Sequence, residues 1–187
     1  MTVGILLVDP QLDFFPGGAL GVRDGDAIVA PINELLARHP ALPLFASRDW
    51  HPSSTRHFAA KGGRWPPHCV QGTPGAGFHA SLAMARAEVF DKGTDPDDDA
   101  GYSAFEGRST TKGGRTLGDG LAASHVDAIV VAGLATDYCV KASVLDACKR
   151  GLTTFVFLPG VRAVDVQPGD GERALAELRA AGALLIT

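Results

Sequence analysis

The chain has 187 residues, of which 45% are hydrophobic and 20% charged, with a formal net charge of −4. This is the usage of a globular chain with a real core, and the length fits a single domain over residues 1–187 rather than a disordered or multi-domain protein. The mild negative charge, with no Lys/Arg cluster, zinc finger or aromatic RNA-binding strand, argues against a nucleic-acid partner.

Strand-length apolar runs alternate with helical patterns along the whole chain. Residues 3–8 read as the first strand. No basic segment precedes this run, and Asp9 breaks it too early for a signal peptide or a membrane span, so a soluble cytoplasmic protein is expected. A helix follows over 28–38, with Pro31 tolerable near its first turns, and then a strand over 42–47. Residues 48–77 form a long irregular stretch, of the kind usually kept for function. A short helix near 78–86, a strand over 88–91, a polar loop over 95–101 and a helix over 115–124, weakened by Gly118 and Gly120, come next. A buried strand over 128–132 leads into a helix over 137–150, with Thr136 as candidate N-cap and Gly151 as stop signal. Residues 154–158, 171–181 and 183–186 supply a strand, a helix and a last strand. The alternation predicts an α/β fold, a three-layer α/β/α sandwich around a mostly parallel sheet of about six strands.

Active sites of such sheets lie outside the carboxyl ends of the strands. Reading off those ends gives Asp9, then Asp49 with His51, then Lys92, then Cys139. Each has a plain alternative, Asp9 as a turn residue before Pro10 and Lys92 as a solvated lysine before Gly93; their shared placement favours function. Cys139 falls in the first turn of its predicted helix, where the helix dipole favours the thiolate, the nucleophilic form. The alternative is a small core cysteine. Three cysteines cannot all pair, and Cys139 and Cys148 stand roughly 13 Å apart along one helix, too far for a disulfide. Cys148 reads as core filler, and Cys69 alone is no thiolate site.

Asp49 and His51 are two apart and share one side of an extended chain, with His57 and His68 in the same loop. Imidazole and carboxylate suit Zn, Fe or Mn, while the lack of cysteine ligands speaks against a closed structural zinc site. A polar loop with incidental histidines is the competing account. His39, His79 and His125 read as helix-end or surface residues. Asp95, Asp97, Asp98 and Asp99 lack the glycine and glutamate offsets of an EF-hand and read as a solvated loop. Gly17-Gly18 and Gly62-Gly63 lack the context of a dinucleotide site, so no NAD is expected.

Five blocks in order resemble the isochorismatase-like cysteine hydrolases, and within them the nicotinamidase/pyrazinamidase branch. They are Val8-Asp9-Pro10-Gln11-Leu12-Asp13-Phe14 with Gly17-Gly18-Ala19-Leu20; Ser47-Arg48-Asp49-Trp50-His51-Pro52; Trp65-Pro66-Pro67-His68-Cys69-Val70-Gln71-Gly72-Thr73-Pro74-Gly75; Lys92-Gly93 with Tyr102-Ser103-Ala104-Phe105; and Gly133-Leu134-Ala135-Thr136-Asp137-Tyr138-Cys139-Val140. The resemblance implies a triad of Asp9 as proton carrier, Lys92 as the charge beside it and Cys139 as nucleophile. It also implies an oxyanion site from the N–H groups of Ala135 and Cys139, with a cis peptide between Leu134 and Ala135. One divalent ion (Zn, or Fe/Mn) at Asp49, His51, His57 and His68 would hold a pyridine nitrogen. Phe14, Trp65 and Tyr102, with Leu20 beside them, would line the ring slot. The implied reaction is nicotinamide to nicotinate and ammonia through a thioester, in NAD salvage, with pyrazinamide also accepted. A related amidohydrolase of another small amide or carbamoyl compound, and a non-catalytic metal-binding protein on the same fold, are the competing functions. Oligomeric state is open, with a homo-oligomer among the options.

Overall fold

The computed structural model describes residues 1–97 and 101–187. In chain order the main elements are β1 (Val3–Val8), α1 (Val29–Arg38), β2 (Leu44–Asp49), β3 (Glu88–Lys92), β4 (Arg108–Ser109), α2 (Leu117–Ala123), β5 (Ala128–Leu134), α3 (Lys141–Lys149), β6 (Thr153–Arg162), α4 (Asp170–Ala180) and β7 (Leu184–Ile186). The strands form one sheet in the order β4-β3-β2-β1-β5-β6-β7, parallel throughout except where β4 meets β3. Side chains alternate between the two faces of each strand. Ile5 and Leu7 of β1 pack with Ile32 and Leu36 of α1, while Leu6 and Val8 join Leu121, Val144 and Leu178 of α2, α3 and α4. Both faces are therefore covered, which is why β1 and β5 are apolar without a break. Among the described residues no helix is long and apolar enough to cross a membrane.

Among the described residues the sheet has seven strands, where the alternation predicts about six. The extra one, β4, has two residues and runs antiparallel on the sheet edge, too short to leave a periodic signal. No helix forms over 78–86; turns take its place, and Asn33 of α1 binds their backbone, donating to Ser81 O at 2.7 Å and accepting from Ala83 N at 2.9 Å. Strand β6 runs four residues past the expected end. Its register with β5 jumps between Val131↔Val156 and Gly133↔Val161, a bulge that accommodates Pro159 inside a strand. The expected helix 137–150 divides into a wide π-type turn over Thr136–Val140 and α3 proper. Of the polar loop 95–101, Asp98 and Asp99 lie outside the described residues.

Gly133 of β5 faces the backbone of β1 with no room for a side chain. Its φ is +123°, and a Cβ built there would stand 2.0 Å from Val8 O. Gly133→Ala combines overpacking with backbone strain and is expected to cost about 3 kcal/mol or more. That corresponds to a fall of about 6–12 °C in the thermal midpoint. A midpoint unchanged in a melt followed by circular dichroism would show that the two strands can move apart.

Candidate active site

The sheet order sets the exits of β3, β2, β1 and β5 side by side, and β1/β5 is the switch point where a crevice opens. Lys92 pairs in register with Asp49, and Val8 with Gly133, so these exits lie on one level. Asp9 leaves β1 in a left-handed conformation (φ 45°) directly before Pro10, a rare state for a non-glycine residue. Its Oδ1 accepts from Ser47 Oγ at 2.6 Å and its Oδ2 lies 3.0 Å from Lys92 Nζ. The same ammonium pairs with Asp49 Oδ1 and stands 3.6 Å from Cys139 Sγ. All four side chains are buried. One lysine is thus shared by two carboxylates and a thiol.

Burial is the largest influence on each of these groups. It raises Asp9 above the usual carboxylate value against the pull of Lys92. In Asp49 burial works the same way, but Lys92 and His51 outweigh it and the carboxyl is held far below its usual range. Burial alone would neutralise Lys92; the charges of Asp49 and Asp9 instead hold its pKa well above normal. The Cys139 thiol is pushed well above its ordinary value by burial, with Lys92 opposing and Asp9 and Asp49 adding to the rise. This reverses the expectation of a dipole-stabilised thiolate. The resting thiol is protonated, and a base is needed to activate it. Asp9, close by and itself raised, is suited to carry that proton.

The turn that carries Cys139 is shaped at its start. The peptide between Leu134 and Ala135 is cis. Ala135 O accepts from Tyr138 N and from Val140 N, both at 3.1 Å, rather than from Cys139, which an α-helical ladder would use. Ser143 Oγ donates to Cys139 O at 2.7 Å and accepts from Ala104 N at 2.9 Å, tying the turn to the segment after Tyr102.

On the other flank His51, His57 and His68 each present a ring nitrogen within 4.8 Å of the others. His51 Nδ1 bonds Gly93 O at 3.0 Å and His68 Nδ1 bonds Pro66 O at 2.8 Å. A ring fixed in this way through Nδ1–H leaves the Nε2 lone pair for a ligand. His51 Nε2 is buried, accepts no hydrogen bond among the described residues, and lies 3.7 Å from Asp49 Oδ2. Burial lowers His68 to about 4, so it is neutral at physiological pH. Three clustered imidazoles, an orphaned buried nitrogen and an ionised carboxylate fit a divalent ion of the Zn, Fe or Mn type. Cys69 is not part of this set. Burial and the neighbouring carboxylates push its thiol far up, and its N–H donates to Asp13 Oδ2 at 2.7 Å.

Between triad and histidines lies a small cavity of about 40 Å³ for the centre of a water-sized sphere, lined by Cys139, Ala135, Asp49, His57, His68, Phe14, Leu20, Trp65, Tyr102, Tyr138 and Val164. One water needs about 10–15 Å³ by that measure, so the space suits a molecule of one ring. Its walls are aromatic. Trp65 Nε1 donates to Tyr102 OH at 3.0 Å, and Tyr138 meets Trp65 edge-on at 5.2 Å between centroids.

The isochorismatase domain model matches residues 3–187. The chain belongs to the isochorismatase family. It is 41% identical to the nicotinamidase of Escherichia coli (strain K12) over 203 aligned positions, which cover 98% of this chain and 93% of that one. The pyrazinamidase of Pyrococcus horikoshii, solved in complex with zinc, superposes with a TM-score of 0.88 at 38% identity, over 100% of this chain and 99% of that one. A protein of L. infantum solved in complex with nicotinate gives 0.86 at 34%, over 100% and 92%. Within this isochorismatase-family site, Ser47, Gln11, Asp137 and Tyr138 fall in the motif blocks without a role legible in the sequence, and Val164 lies outside those blocks. Tyr138 stands beside Cys139 in a motif already singled out. Asp137 accepts from Val164 N and Asp165 N, both at 2.9 Å, and so holds the Val164 wall; neither its spacing nor its type announces that.

Proposed function

We propose that this chain is a metal-dependent cysteine amidohydrolase that converts nicotinamide to nicotinate and ammonia, accepts pyrazinamide, and serves NAD salvage. The observation that carries the reading is that Cys139 and the candidate metal ligands Asp49, His57 and His68 line one ring-sized aromatic cavity. The relatives named nicotinamidase and pyrazinamidase point the same way.

Asp9 accepts the thiol proton, and Cys139 Sγ bonds to the carboxamide carbon. The N–H groups of Ala135 and Cys139 take the developing oxyanion. The C–N bond breaks, Asp9 returns its proton to nitrogen, and ammonia leaves behind a thioester. A water then gives a proton to Asp9 and adds its oxygen to the acyl carbon; the C–S bond breaks and the proton returns to sulfur. Lys92 holds a positive charge against whichever of Asp9 and Cys139 is anionic. Asp49, His51, His57 and His68 would hold the divalent ion, which supplies a Lewis-acid position for an aromatic ring nitrogen. Phe14, Leu20, Trp65 and Tyr102 orient the ring flat in the slot.

Ammonia release from nicotinamide tests this directly. Purified protein with its metal should turn over, chelation should remove most of that activity, and zinc should restore it. Full turnover after metal content has fallen to near zero would instead favour an amidase of another small amide or carbamoyl compound.

A further inference from the structure

We propose that Gln11 is a positioning residue for the metal centre. It acts through the backbone of Asp49, itself one of the candidate ligands, and the proposal rests on the metal-dependent reading above. Gln11 is fully buried in the loop that leaves β1, two residues past Asp9. Its Oε1 accepts from Asp49 N at 2.7 Å, and its Nε2 donates to Asp49 O at 2.7 Å and to Ala76 O at 3.0 Å. One side-chain amide therefore brackets both backbone groups of a single residue. That pattern belongs to a neighbouring strand. The β1–β2 ladder pairs Ile5, Leu6 and Leu7 with Leu44, Phe45 and Ala46. Beyond it β1 has turned away at Asp9, and the Gln11 amide takes the vacant place beside Asp49. On the opposite side Asp49 pairs with Lys92 of β3.

Asp49 needs this because its carboxylate has two tasks. One oxygen pairs with Lys92, and the other lies 3.7 Å from His51 Nε2. A backbone free to rotate would give up one contact to keep the other. A buried apolar side chain of similar shape would fill the space as well and would leave three backbone groups unpaired only here. Supporting groups of this kind usually change metal affinity by about 10–100-fold.

The test is zinc affinity, by competition with a chromogenic chelator at fixed pH, beside the thermal midpoint of each protein. Gln11→Met should weaken zinc about 10–100-fold. Gln11→Asn keeps the amide but draws it back by one methylene, and should lose affinity in the same direction while being easier to fold. Leu36→Ala opens a cavity under α1, on the opposite face of the sheet from α2, α3 and α4, and should lower the midpoint while binding zinc as wild type does. Gln11 variants within twofold of wild type would overturn the proposal and leave the amidase reading standing. So would a Leu36→Ala protein that loses zinc as badly, since general loosening would then explain the effect. A wild type that holds no divalent ion would overturn the metal-dependent reading and this proposal with it.

Discussion

Cys139→Ala is expected to reduce ammonia release by on the order of 10⁴-fold or more while the protein keeps its fold and its metal. The argument rests on what the thiol does at rest. Burial and two carboxylates keep it protonated, so it forms no ion pair that the fold depends on. Lys92 pairs with Asp9, 3.0 Å away, and with Asp49, and the substitution removes neither partner. The clustered His51, His57 and His68, and Asp49 at 3.7 Å from His51 Nε2, are left in place by the substitution. What disappears is the atom that bonds to the acyl carbon in the proposed mechanism. The stability change should stay near about 1 kcal/mol, as for other small buried truncations. Steady-state turnover with a thermal melt checks both halves. A variant that keeps more than about one part in a hundred of wild-type kcat would mean that water, not sulfur, attacks the amide.

The sequence was most readable where a polar residue ends an apolar run. Asp9 directly ends such a run, Asp49 and Lys92 close β2 and β3, and Cys139 follows β5 by five residues; a parallel sheet carries all such exits to one edge, so their meeting follows from fold class. The features that escaped have partners far away in sequence. Gln11 and Ser47 both reach residues 38 positions away, and no local spacing encodes that. The turn at Cys139 has the propensities of a helix, yet the bond from Val140 N to Ala135 O widens it. The Cys139 thiol is raised, not lowered, because the dipole at a helix start counts for less than burial beside two carboxylates. Strand β6 runs on past residue 158 because the bulge facing β5 gives Pro159 a place in a strand, which no local pattern announces.

Lys92→Met should remove turnover and also destabilise the protein by about 3–5 kcal/mol, lowering the thermal midpoint by roughly 6–20 °C. Methionine fills the volume of a lysine, so packing is not the cause. The lysine is 2% exposed and is the shared counter-charge of Asp9 and Asp49. Removing one member of a buried ion group leaves the others uncompensated, whereas replacing the whole group with apolar residues is often neutral. A second substitution separates the two roles. Asp9→Asn placed on Lys92→Met removes one stranded charge and should recover part of the lost stability without any turnover. If Lys92→Met is instead as stable as wild type, the stranded carboxylates, Asp9 as well as Asp49, must take up protons once the ammonium is gone. An Asp9 that is already protonated cannot receive the proton of Cys139, so that outcome would assign to Lys92 the task of keeping the base in its working form.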